Sequence, residues 1–244
     1  MMIKVIPIHV NQDVKHRDDI SDIIIEHAEL QPNDIIVVAQ KVVSKAEGQL
    51  IRLSDVSPSE LARGIAGEYG KDARVIQLVL QEARFIVRMD NGIIITQRYD
   101  GHICANSGVD TSNVPPDHAL LLPKSSDTSA QHIRDKIRHH MQMDVGVIIS
   151  DTLGRPFRVG QTDVCVGCSG VAPLLDHTGN HDVYGRVLRV SVTAVADQLA
   201  GAAELVMGKT DYVPMAILRG VDDMMGDGSV QDLIRHNNDL FRQM

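Results

Sequence analysis

Apolar and polar positions along this chain fall into short runs that switch between a period of two and a period near 3.6, with no internal repeat and no low-complexity linker. Residues 3–8 read as a strand. A helix follows Asp18-Asp19, with Ile20, Ile23, Ile24 and His27 on one face. Residues 35–39 form a short apolar strand that runs into a glycine-ending loop, Gln40-Lys41-Val42-Val43-Ser44-Lys45-Ala46-Glu47-Gly48. Ser57-Pro58-Ser59-Glu60 has the pattern of a helix start, with Ser57 as cap, Pro58 in the first turn and Glu60 three residues after the cap. A second helix covers 72–83. Residues 84–88 and 93–97 flank Asp90-Asn91-Gly92, and Asn-Gly between two β-rich runs predicts a hairpin because both turn residues must accept positive φ.

A polar loop spans 106–116. An amphipathic helix covers 129–140, and strands cover 145–149 and 186–192. Residues 193–207 are helical, with Val195, Leu199, Ala202, Ala203 and Val206 apolar and Gly208 where a C-terminal cap belongs. Residues 214–218 give a late strand, and the tail from Val230 reads as helical. Strands and helices mix without a strict β-α-β rhythm, so the expected class is α+β or mixed α/β.

The composition narrows the function. The 244 residues suffice for one large domain or two small lobes around a substantial core. Aromatics make up 3% with no Trp, a poor basis for stacking nucleobases, and the net charge of −8 argues against a broad nucleic-acid-binding face. That field also repels phosphorylated ligands, so an anionic substrate requires local lysines, arginines or a metal ion. The N-terminal segment is too short and too soon interrupted for a signal peptide, and no apolar run approaches the roughly 20 residues that span a bilayer. Three cysteines make no disulfide framework, and a cytoplasmic protein without membrane partners is expected.

The candidate chemistry gathers at 146–163. An apolar run, Val147-Ile148-Ile149, climbs to Ser150-Asp151-Thr152 and leads on to Arg155 and Arg158. A carboxylate just past a buried strand points into a crevice; the plainer reading of the same residues is an Asx-turn or a helix cap. Asp110 sits in a Gly/Ser/Asn loop and by itself reads as a turn residue. If it met Asp151 at about 4 Å, the two charges would repel by roughly 4 kcal/mol near a protein surface, and a divalent cation between them would reverse the sign. Oxygen donors with Thr152 beside them favour Mg²⁺ or Mn²⁺ over Zn²⁺. Gln40, Lys41 and Lys45 could hold phosphate oxygens, and Arg155 and Arg158 could clamp a carboxylate or phosphate. Met207-Gly208-Lys209-Thr210 is no P-loop, because Ala203 stands where that motif needs glycine and a helix precedes it. Cys165-Val166-Gly167-Cys168 lacks a second pair for zinc and reads as packing.

Several of these stretches, taken in order, resemble the coenzyme F420-0:L-glutamate ligases. They are 42–48 (Val-Val-Ser-Lys-Ala-Glu-Gly), 104–113 (Cys-Ala-Asn-Ser-Gly-Val-Asp-Thr-Ser-Asn), 150–158 (Ser-Asp-Thr-Leu-Gly-Arg-Pro-Phe-Arg), 160–163, 184–186, 194–197 and 204–209. The resemblance covers about residues 3–220 and treats 1–244 as a single catalytic unit. It implies an F420 ligase-like fold of mixed sheets with flanking helices, assembled as an intertwined homodimer with nucleotide sites near the subunit interface. It implies a ligase that uses GTP and Mg²⁺ or Mn²⁺, usually with stimulating K⁺, to join L-glutamate to F420-0. The family's metal ligands fall here on Asp110, Asp151 and Thr152. Its nucleotide contacts fall on Asn11, Gln12, Asp13 and Val14, on Gln40, Lys41, Lys45 and Asn113, and on Met207, Gly208 and Lys209; Asp110, Asp151 and Lys45 carry the chemistry. Val10–Val14 stands where relatives usually have a Gly-Leu-Pro segment. Two alternatives remain open: an amide ligase with another carboxylate acceptor, and a nucleotide-binding regulator without turnover.

Overall fold

Five strands form the central sheet of the computed structural model, which describes residues 2–236 and residue 239. In chain order the elements are β1 (Lys4–Ile8), α1 (Ile20–His27), β2 (Ile35–Ala39), α2 (Gln40–Ala46), β3 (Leu50–Arg52), α3 (Glu60–Tyr69), α4 (Ala73–Glu82), β4 (Ala83–Asp90), β5 (Ile93–Arg98), β6 (Ile103–Ala105) and β7 (His118–Leu120). They continue with α5 (Ser126–Met141), β8 (Gly146–Arg155), β9 (Arg158–Ser169), β10 (Leu174–Asp176), β11 (Val192–Ala194), α6 (Val195–Met207) and β12 (Met215–Arg219).

The central sheet has the order β1-β12-β2-β8-β9, antiparallel except for the parallel pair β2–β8. Its three inner strands, β12, β2 and β8, are apolar at nearly every position inside the sheet because both faces are covered. Ile36, Val38, Val147 and Ile149 pack with Ile23 and Ile24 of α1 and Ile133 and Ile137 of α5. The alternate residues Ile35, Val37 and Ile148 pack with Val195, Leu199 and Ala203 of α6. A smaller core joins α3, α4, Ile94 of β5 and Ala119 of β7. The result is the expected mixed α/β architecture, several sheets with flanking helices.

The hairpin at Asn91-Gly92 forms as predicted, with φ of 47° and 73° and Asp90 paired to Ile93. Other expectations change. Residues 40–46 are a helix, not a loop; seven residues with no side-chain cap carry too little periodicity to be read. The capping serine of α3 is Ser59, whose hydroxyl accepts the Ala62 N–H, so Ser57 and Pro58 lie outside the helix. The long helix starts three residues earlier than expected, at Ser126. Of the strand predicted at 186–192, only Val192 is in β11, and the helix expected over 193–207 begins at Val195. The tail forms a short 3-10 turn at Val230–Leu233 capped by Ser229; the rest of the helix expected there falls largely outside the described residues.

The largest correction concerns Asp151. It does not stand past a strand end: β8 runs on to Arg155 and pairs with β9 as a long hairpin. Pairing with β2 does end at Ser150, so Asp151 lies where the hairpin leaves the sheet. The hairpin tip carries exposed Phe157 and Val159, the latter 98% exposed. Between β10 and β11 the chain makes a second projection with Val183, Tyr184 and Val190 exposed. Among the described residues, no helix is long and apolar enough to cross a membrane.

Candidate active site

The helix α2 sets one wall of the site. It starts directly from the end of β2, and its buried Gln40 accepts a hydrogen bond from the Ser44 hydroxyl one turn on (2.9 Å). That fixes the helix against the sheet and sends Lys41 and Lys45, four residues apart, toward the same side. Lys41 Nζ lies 2.6 Å from Asp110 Oδ2 and donates to Ser112 Oγ at 2.7 Å. Lys45 Nζ donates to Asp13 Oδ1 at 2.7 Å.

Asp110 is held by its backbone and its side chain. It forms an isolated antiparallel bridge with Leu120, and its carboxylate accepts the Ser112 N–H (2.7 Å) and hydroxyl (3.0 Å). The turn expected at Asp110 is therefore real, and the same turn aims its carboxylate at Lys41. Burial alone would raise its carboxyl, but Lys41 and Ser112 more than offset that, and the net displacement is below the ordinary range.

Asp151 behaves in the opposite way. Burial, with the negative charges of Asp163 and Asp110 adding to it, pushes its carboxyl up to about 6. The Thr152 N–H, which donates to Asp151 Oδ1 at 2.9 Å, and the Lys41 charge oppose the rise without cancelling it. Across the hairpin Thr152 faces Asp163, whose Oδ1 accepts the Thr152 hydroxyl (2.6 Å) and whose Oδ2 accepts the Ser150 hydroxyl (3.1 Å). Lys209 completes this side, 2.6 Å from Thr152 Oγ1, 3.2 Å from Asp163 Oδ1 and 3.1 Å from Glu204 Oε1. It comes directly after Gly208, whose φ of 60° and ψ of −164° suit glycine alone.

These groups line one cavity of about 1040 Å³, at the upper end of what small-molecule sites occupy. Asp110, Asp151, Thr152, Gln12, Asp13, Val14, Gln40, Lys41, Lys45, Asn113, Met207, Gly208 and Lys209 all contribute to its wall. Asn11 does not; it is exposed to solvent beside the wall. Arg155 and Arg158 stand at the hairpin tip outside the wall, with Arg155 Nη2 donating to the Val159 carbonyl at 3.0 Å.

The comparisons with known proteins point the same way over nearly the whole length. The sequence pattern of the F420-0:Gamma-glutamyl ligase family matches residues 10–220. The chain belongs to that family. A coenzyme F420:L-glutamate ligase of Methanopyrus kandleri is 43% identical, covering 98% of both chains. Ligases of the same name from Methanocaldococcus jannaschii and Archaeoglobus fulgidus are 42% identical (92% of this chain, 90% of the relative) and 37% identical (100% and 98%).

Among the described residues of this family member, no three His, Cys, Asp or Glu side chains stand close enough to cage a metal ion by themselves. The donor set nevertheless fits a hard divalent cation that takes its remaining oxygens from phosphate and water, the usual manner of Mg²⁺ in nucleotide sites. The raised Asp151 carboxyl, crowded by two other carboxylates, is the group such a cation would relieve.

Cys165 and Cys168 are free and buried. The Cys165 thiol is pushed well above its ordinary range by its Cys168 hydrogen bond and by burial, and burial raises Cys104 to about 12. Burial, with the Cys165 and Cys104 thiols raised, fits the packing role expected of them. Sequence reasoning assigned no role to Asp163 or Glu204. The first could have been found from the hairpin, since Gly154 and Gly160 flank a turn that sets Thr152 opposite Asp163. Glu204 gives no sequence signal; only the helix end brings it to Lys209.

Proposed function

We propose that this enzyme joins the amine of L-glutamate to the carboxylate of coenzyme F420-0 in a GTP-dependent reaction through an acyl phosphate, with Mg²⁺ or Mn²⁺ and a stimulating K⁺. The supporting observation is the pairing of near-full-length family membership with a cavity in which Asp110, Asp151 and Asp163 face Lys41, Lys45 and Lys209. A carboxylate is a poor electrophile. Transfer of the γ-phosphoryl group to one of its oxygens releases GDP and gives an acyl phosphate. The glutamate nitrogen then attacks the carbonyl carbon, the C–O bond to phosphate breaks, and the ammonium protons pass to solvent or to phosphate as the amide forms. When bound, a divalent ion supplies charge neutralisation on the phosphates.

The chain's own groups do the rest. Lys45, on the inner side of α2, and Lys209 place fixed positive charge where phosphate oxygens enter, offsetting the repulsion expected from a net charge of −8. Lys41 bridges Asp110 and Ser112 until phosphate competes for it. Gln12, Asp13, Val14 and Asn113 contact the nucleotide. We treat the chain as one catalytic unit acting as a homodimer. The two projections that expose Phe157, Val159 and Tyr184 are surfaces a second copy would cover, and Arg155 and Arg158 at one tip would then meet the acceptor's negative charges.

Mass spectrometry of F420-0 incubated with glutamate, GTP and Mn²⁺ tests the reading. A product heavier by one glutamyl residue, formed together with GDP and only with enzyme, is expected. GDP release with a different carboxylate acceptor alone, or nucleotide binding without any product, contradicts it.

A further inference from the structure

The Lys209 ammonium is coordinated as a bound cation would be. Its three N–H groups meet three oxygens from three elements: Thr152 Oγ1 at 2.6 Å, Asp163 Oδ1 at 3.2 Å and Glu204 Oε1 at 3.1 Å. Those contacts exhaust its donors. The cage is equally committed. The Thr152 hydroxyl gives its proton to Asp163, and the second Asp163 oxygen accepts from Ser150. Asp163 is only 5% exposed and requires a positive neighbour. The lysine is anchored by buried Met207 and by Gly208, where an added Cβ would meet Asp211 Oδ2 at 2.7 Å. Asp110 and Asp151 differ. Lys41 bonds Asp110 and Ser112, whereas the hydrogen bond to Asp151 comes from a backbone N–H.

We propose that Lys209 is a built-in cation that fills the Thr152–Asp163–Glu204 cage, so that each nucleotide site takes up one divalent ion, at Asp110 and Asp151, and Thr152 is not a metal ligand. This inference rests on the nucleotide-ligase reading and deepens it. It replaces the expectation that Thr152 joins the two aspartates around metal. An ammonium already present needs no second ion to offset Asp163 and Glu204, and it repels one that approaches.

The test counts Mn²⁺ bound per chain by electron paramagnetic resonance of the full-length protein saturated with a non-hydrolysable GTP analogue. One ion is expected for the unaltered chain. Lys209→Gln removes the charge and leaves an oxygen donor, and is expected to bind two. Lys209→Arg keeps the charge and is expected to bind one. The Lys209 side chain is 55% exposed, so both variants are expected to fold, and circular dichroism with thermal unfolding of each provides the check. Two ions in the unaltered chain, or one ion in Lys209→Gln, overturns the proposal while leaving the ligase reading standing. No bound Mn²⁺ in any of the three, with the analogue bound, overturns both.

Discussion

Asp151→Asn should make the free protein more stable while abolishing ligation. The Asp151 carboxyl sits at about 6 in the folded chain, raised first by burial and then by Asp163 and Asp110. An unfolded chain holds the same group near 3.9, so at about 1.4 kcal/mol per pH unit its ionisation costs the fold roughly 3 kcal/mol at pH 7. Asn keeps the size and an oxygen to accept the Thr152 N–H, and carries no charge. The sign comes from proton binding: between about pH 4 and 6 the folded state holds more protons than the unfolded one, so stability falls as pH rises through that window. The advantage of the variant should therefore be full above pH 6 and shrink to under about 1 kcal/mol at pH 4. Urea unfolding of both proteins at pH 7 and pH 4, without metal or nucleotide, measures it. A variant no more stable than the unaltered chain at pH 7, or one whose advantage does not shrink in acid, refutes the reasoning.

Three further outcomes rest on particular residues. Gly208→Ala forces a side chain into a glycine-only backbone region against Asp211, and should cost about 1–3 kcal/mol by chemical denaturation. Arg219→Met strands the Asp34 carboxylate, buried to 1% exposure and held by two 2.8 Å bonds from Arg219, and should cost about 3–5 kcal/mol in the same assay. Val159→Glu combined with Tyr184→Glu charges both projections; light scattering should show a dimer for the unaltered chain and a monomer for the variant, and a monomeric unaltered chain contradicts the assembly.

The sheet is legible in the sequence because its inner strands are buried on both faces. Residues 35–39 give an unbroken apolar run that matches β2 end to end, and Asn91-Gly92 announces its hairpin through turn chemistry. The helix α2 is not legible: Val42 and Val43 favour strands, and its seven residues hold barely two turns. The outer part of β8 escapes because Asp151–Arg155 pairs with β9 alone and leaves the core, so burial imposes no alternation on it. The apolar pattern of Val187, Leu188, Val190 and Val192 belongs to a projection whose valines are exposed. In the site, Asp110 and Asp151 can be nominated as residue types, but their approach depends on the Leu120 bridge and on where the hairpin leaves the sheet. The lysine pairings are illegible, because they join the first turn of α2 to a distant loop and the end of α6 to the opposite strand.

On this reading Asp110 and Asp151 jointly hold a divalent ion against a nucleotide's phosphates. Anomalous diffraction at the manganese edge, from crystals grown with Mn²⁺ and a non-hydrolysable GTP analogue, locates that ion. A manganese peak within bonding distance of both carboxylates and of phosphate oxygens is expected. A peak elsewhere, or nucleotide seated with its phosphates away from these two residues, contradicts it.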